Sequence, residues 1–215
     1  LGDSANASGN FTTAVGRNAH ATATSANALG YNAQATGYFS NALGTDSVAS
    51  GYASTAVGQQ AYATGPRSTA LGLAANASGY ESTALGSLAT ASGKYSTAVG
   101  AGARATGQFD TAVGKYATAS GGYSTAIGKY AVSSGIASTA LGYGAHATAR
   151  TSTAIGTDSY ASGYGSISEG FRSAATNYNS VAMGSYAYSS GQSSVAVGAL
   201  SSATGDLSTA VGYSA

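Results

Sequence analysis

Tyr95-Ser96-Thr97-Ala98-Val99-Gly100 returns, in close variants, at fixed intervals along the chain. Gly2, Gly16 and Gly30 are 14 residues apart, and the series runs unbroken to Gly198 and Gly212. That makes 16 glycines with no insertion or deletion between them. A repeat of this length is the mark of a solenoid. Positions in the repeat are counted here from the residue before this glycine, so Val99 holds position 1 and Gly100 position 2.

Some positions are uniform and some are not. Position 1 is aliphatic or Met in every repeat except at Glu169. Position 14 is Ala except at Ser168, and positions 5 and 7 are only Ala or Ser. Position 8 is always Ser or Thr, and position 12 is nearly always Ser. Position 9 is Gly except at Ala23, Ala149 and Asn177. Positions 3, 4, 6, 10 and 11 vary, and they hold all 16 tyrosines and all 8 Lys and Arg residues.

Two glycines about seven residues apart predict two short strands and two tight turns per repeat. The first strand is expected over roughly positions 11 to 1, and the second over positions 4 to 8. A helix is disfavoured, since glycine costs about 1 kcal/mol at each helix-interior position. Copies then stack as a parallel solenoid of about 15 turns, roughly 70 Å long at about 4.8 Å per strand. Residues 1–215 are expected to form one domain.

Strand alternation sorts the faces. Positions 4 and 6 vary and face solvent, so positions 5 and 7 face inward. In the first strand neither face varies, which predicts that both are buried. One face belongs in the roll's own core and the other against a second copy of the chain. Large residues of position 1, with position 13, are assigned to the core opposite the small residues of positions 5 and 7. Positions 12 and 14 are assigned to the contact between chains, with Ala98, Ala112 and Ala126 as interface residues. The reverse assignment is the open alternative. One large aliphatic residue per turn hardly offsets the ordering of 14 residues, so subunit contact is expected.

Composition excludes several classes. Charged residues are 7%, net charge is +1, and there is no Cys and a single Pro. These values exclude collagen, a disulfide scaffold and a Cys-ligated metal site. They give no overall basic field for nucleic acid. No apolar run is long enough for a membrane-spanning helix.

The columns resemble the head domain of YadA-like trimeric autotransporter adhesins. Asn179-Ser180-Val181-Ala182-Met183-Gly184 matches that family's Asn-Ser-Val-Ala-Ile-Gly motif with one change. Other turns carry Ser-Thr-Ala-Val/Leu/Ile-Gly, as at Ser96 to Gly100. The resemblance implies an all-β, left-handed parallel β-roll and a homotrimer. It also implies display on the outer surface of a Gram-negative bacterium. The family's neck, coiled-coil stalk and membrane anchor are not expected in this segment, which reads as an excised head. The implied function is attachment to host matrix such as collagen or fibronectin, or to other bacterial cells, through a repetitive rod surface. A passive spacer carrying another binding domain is the alternative. An ice-binding solenoid is disfavoured because Ser and Thr of positions 12 and 13 point to opposite faces.

Enzymatic chemistry finds no support, and no cofactor or metal is expected. His20 and His146 lie nine turns apart in position 6. The Gly-Lys pairs at 93, 114 and 128 are followed by Tyr, so no phosphate loop forms. Exposed aromatics are the candidate ligand-binding residues: Tyr38, Tyr52, Tyr80, Tyr95, Tyr123, Tyr164 and Tyr178. Their amphipathic rings suit flat contact, although tyrosine also serves simply as a strand former at solvent edges. Asn27 and Asn41 occupy position 13 in successive turns and are expected to form an amide ladder. Glu169 breaks position 1, and a distorted turn is expected to carry it toward water or Arg172. Asp110 breaks position 12, with Arg104 or Lys115 as expected partners across subunits.

Overall fold

A computed structural model describes all residues 1–215. Its regular structure is entirely β. The chain divides into two compact units, Leu1–Phe109 and Asp110–Ala215.

In the first unit, eight two-residue strands from Asn6–Ala7 to Arg104–Ala105 form one parallel sheet. Seven three-residue strands from Thr13–Val15 to Thr97–Val99 form the other. The second unit repeats this plan with seven short strands, Thr118–Ala119 to Ser202–Ala203, and eight longer ones, Thr111–Val113 to Thr209–Val211. Register follows the sequence period. Thr69, Ala70 and Leu71 sit opposite Thr83, Ala84 and Leu85, and Thr125 opposite Thr139. Each unit is a parallel solenoid of the predicted period.

The strands are shorter than expected, and the turns explain why. Position 4 and position 11 adopt a left-handed backbone, as at Tyr95 (φ 60°) and Tyr116 (φ 57°). Extended chain cannot continue through such a residue. A hydrogen bond from the N–H of position 5 to the carbonyl of position 2 closes one turn, as in Ala19 to Gly16 at 3.2 Å. The N–H of position 12 closes the other on position 9, as in Ser40 to Gly37 at 3.2 Å. A left-handed third residue is the type II pattern.

The two recurrent glycines serve different needs. Gly100 in position 2 has φ 125°, a region closed to side chains. Gly79 in position 9 has no such φ. There a Cβ would run into the carbonyl of Gly93, one turn on.

The interior reverses the expected face assignment. Ala98, Ala112 and Ala126 of position 14 are each 0% exposed within a single chain. They share the core with alanines of positions 5 and 7, such as Ala103 and Ala105, and with serines of position 12. They therefore face their own roll and have no surface to offer a partner. The valines, leucines and threonines of positions 1 and 13 lie outside. The physical reason is the depth of the interior. Its largest fully buried side chains are Asp110 and serines, so two facing rows of small residues fill it. A Leu or Val has no room between the sheets.

Some buried hydroxyls are tied to backbone carbonyls of the turns, while those of Ser40, Ser54, Ser68, Ser96 and Ser166 find no hydrogen-bond partner. Ser82 Oγ donates to Gly79 O at 2.8 Å and Ser138 Oγ to Gly135 O at 2.7 Å. Asp110 joins this interior row and does not reach toward Arg104 or Lys115 as expected. It is 0% exposed, and its Oδ1 accepts the N–H of Ser124 at 2.9 Å and its hydroxyl at 2.8 Å.

Candidate functional site

Two kinds of surface are built by the repeat. The first is the outer face of the three-residue strands. In each turn it presents one aliphatic residue and one residue of position 13. Leu71 and Leu85 in the first unit are 41% and 39% exposed, and Ile127 and Leu141 in the second are 39% and 43%. In-register stacking turns these into an apolar stripe along each unit, interrupted in the second by Glu169. On it, Asn27 Nδ2 donates to Asn41 Oδ1 at 2.9 Å, the expected amide ladder. It lies on the outer face, where sequence reasoning had placed core.

Glu169 lies on this same stripe. Ile167–Glu169 is a regular strand, paired in register with Thr153–Ile155 and Val181–Met183. The turn is not distorted. The side chain is exposed because its whole column is. Arg172 pairs with Asp158 at 3.6 Å, so it is not the partner of Glu169. Asn177 keeps negative φ and stabilises its turn through its side chain. Its Nδ2 donates to Ser190 O at 2.9 Å, and its Oδ1 accepts Tyr178 N–H at 2.8 Å.

The second kind of surface is the two turn edges. Positions 10 and 11 carry all seven predicted aromatic candidates. Tyr80 and Tyr95 meet edge to face at 5.5 Å, and Tyr95 stacks on Phe109 at 4.9 Å. The Lys94 ammonium lies 5.4 Å from the Tyr80 ring and 5.0 Å from the Tyr95 ring. Tyr52 meets Phe39 at 5.8 Å, and Tyr164 stacks on Tyr178 at 5.3 Å. Tyr38 and Tyr123 are the most exposed of the set, at 59% and 61%. Tyr38, Tyr52, Tyr80 and Tyr95 belong to the first unit, and Tyr123, Tyr164 and Tyr178 to the second.

Sequence reasoning missed the opposite edge. Positions 3 and 4 carry Tyr116 stacked on Tyr130 at 5.6 Å, and Tyr130 edge to face with Tyr143 at 6.0 Å. Phe171 and Tyr186 meet there at 5.3 Å. The signal was available, because these rings recur at one period in variable positions.

Charge on the edges is local. Arg67 Nη1 meets Glu81 Oε1 at 2.8 Å. That hydrogen bond holds the Glu81 carboxyl below its ordinary range and the Arg67 guanidinium above its own. His20 and His146 lie in separate units. No three His, Cys, Asp or Glu residues gather into a group that could hold a metal ion. No helix is long and apolar enough to cross a membrane.

The segment Asn179–Gly184 shows why its residue types recur. Asn179 takes the left-handed turn position at φ 49°, which Asn tolerates better than most residues. Ser180 Oγ donates to Asn177 O at 2.7 Å inside the core. Val181 and Met183 face out, Ala182 is 0% exposed, and Gly184 has φ 135°. The family model for the YadA head domain repeat, two copies per match, fits residues 1–19, 21–47, 49–75, 77–103, 105–131, 133–159, 147–173, 161–187 and 189–215.

The chain belongs to the YadA head-repeat family. Apart from residues 1–19, each family match spans about two turns of the solenoid, so one copy of the family repeat corresponds to one turn. Among solved structures, the collagen-binding domain of the Yersinia adhesin YadA is similar at 24% identity. The match covers 84% of this chain and 70% of that one, with a TM-score of 0.25. Among curated proteins nothing matches. YadA-like heads belong to surface-exposed adhesins, and the chain is an adhesin head on the extracellular side.

Proposed function

We propose that this YadA-type head attaches its cell to host extracellular matrix, with collagen and fibronectin among the matrix ligands, or to other bacterial cells. The attachment surface is the repeated turn edges of a homotrimer. Residues 1–215 act as one head in this reading, because the sequence period crosses the junction of the two units without an insertion. The observation that carries the proposal is the recurrence of exposed aromatic rings along one edge of the first unit and both edges of the second. Contacts that are individually weak then add along the repeat through multivalency.

Three copies join through the outer face of positions 1 and 13. An exposed apolar stripe of this length needs a cover. Its in-register rows present the same shape at every turn, which suits identical partners. Sedimentation of the purified chain tests the assembly, and a monomer at micromolar concentration would overturn it. Solid-phase binding to a panel of matrix proteins, with aggregation of cells displaying the head, tests the function. Binding above a scrambled-edge control is expected. A head that trimerises but binds nothing in either assay is a spacer.

A further inference from the structure

The cations of this chain are segregated. Between Glu81 and Asp158 there are five, Lys94, Arg104, Lys115, Lys129 and Arg150, against one carboxylate, Asp110. Asp110 is fully buried and hydrogen-bonded to Ser124, so it presents no charge on the surface. Outside this segment, Arg67 and Arg172 are each paired with an acid, and Arg17 lies over the Tyr31 ring at 4.7 Å.

Within the second unit, two of these cations build a surface of regular form. Lys115-Tyr116 and Lys129-Tyr130 occupy positions 3 and 4 of successive turns. A backbone bond from Tyr130 N–H to Lys115 O at 3.0 Å fixes one turn on the other, and Gly144 N–H bonds Lys129 O at 3.0 Å in the next. The Lys115 ammonium lies 5.3 Å from the Tyr116 ring, and that of Lys129 lies 4.9 Å from Tyr130 and 5.7 Å from Tyr143. Neither lysine has an ion-pair partner, and the three rings are 42 to 49% exposed. The result is a straight row of ammonium and phenol groups, advancing about 4.8 Å per turn.

We propose that this edge binds a linear sulfated polysaccharide. The assignment rests on the adhesion reading above and names its ligand class. Sulfates on successive sugars meet the ammonium groups, and phenol hydroxyls donate to and accept from the sugar hydroxyls. The stacking decides against single-stranded nucleic acid. Base recognition on such a surface needs free aromatic faces. Here Tyr116 and Tyr130 lie parallel within 9° and cover each other, while the lysines lie over the rings. An acidic peptide fits less well. Its same-side carboxylates repeat about every 6.6 Å in an extended chain and fall out of step with the turns.

Titration of the chain with heparin-derived oligosaccharide, its desulfated counterpart, oligoglutamate and oligothymidine tests the assignment. The sulfated sugar is expected to bind, with affinity falling steeply as salt rises. Lys115→Ala with Lys129→Ala should weaken it about tenfold, the result expected for two lost charge contacts. Both side chains are exposed, so an unchanged circular dichroism spectrum confirms that the fold survives. An unchanged affinity in the double variant, or equal binding of the desulfated sugar, overturns the proposal. Tighter binding of oligothymidine or oligoglutamate overturns it in favour of that class. A head that holds matrix proteins but ignores the sulfated sugar defeats this assignment and leaves adhesion standing.

Discussion

Gly79 and Leu88 show how the two kinds of turn constrain single residues in opposite ways. A Cβ on Gly79 would collide with the Gly93 carbonyl, which accepts the Ser96 N–H at 3.2 Å in its own turn, so a side chain there demands a local shift of the kind Ala23 and Ala149 require at the same position. Gly79→Ala is expected to destabilise by about 1–3 kcal/mol, in the range of other overpacking substitutions. Leu88 holds a left-handed backbone at φ 59°, a conformation that costs a non-glycine residue about 1 kcal/mol. Leu88→Gly is expected to raise the melting temperature, and thermal unfolding of the two variants measures both signs. The Arg67–Glu81 pair predicts a small pH effect. The Glu81 carboxyl is depressed in the folded state, first by its hydrogen bond to Arg67. Its contribution is present above the unfolded carboxylate's value and is lost as pH falls through the folded one. Arg67→Ala should therefore lower the melting point slightly at neutral pH and leave it unchanged in acid. High salt should erase the difference, because both groups are at the surface.

At the scale of one strand, adjacent residues have opposite fates. Ala84 points into an interior that admits nothing larger than Ser or Asp, and Leu85 points out. Ala98→Glu is expected to unfold the chain, because the carboxylate would have neither space nor a partner. Leu85→Glu is expected to leave the chain folded and to weaken its association. Circular dichroism and sedimentation, run together, separate the two outcomes. Glu169 is a natural instance of the second case. Its strand is regular with Glu in place, so Glu169→Val should leave the monomer's fold intact and strengthen association.

At the scale of the whole molecule, binding is distributed over turns. Deletion of residues 57–84 removes two complete periods and joins Ala56 to Leu85 in frame. The fold should survive, since every turn pairs with its neighbour in the same register. Avidity for matrix should fall more than in proportion to the turns lost, while Tyr80→Ala alone should change it less than about twofold. Solid-phase titration of both variants distinguishes a distributed surface from a discrete site.

The fourteen-residue period, the two turns, the parallel stacking and the exposed variable edges were all legible in the sequence, because each depends on local chemistry repeated in phase. So was the pairing of Asn27 with Asn41, which follows from register alone. The left-handed turn residues were not read, although Asn18, Asn32, Asp46 and Asp158 in position 4 carried the signal. Other turns place Leu88 or Tyr116 there and conceal it. The inner and outer faces of the three-residue strands were decided only in three dimensions. Alternation divides such a strand into two faces but gives neither a sign when both are uniform. The sign comes from how closely the two sheets approach, a distance set by the tight turns. At that distance Ala and Ser fill the interior, and the larger aliphatic residues are left outside.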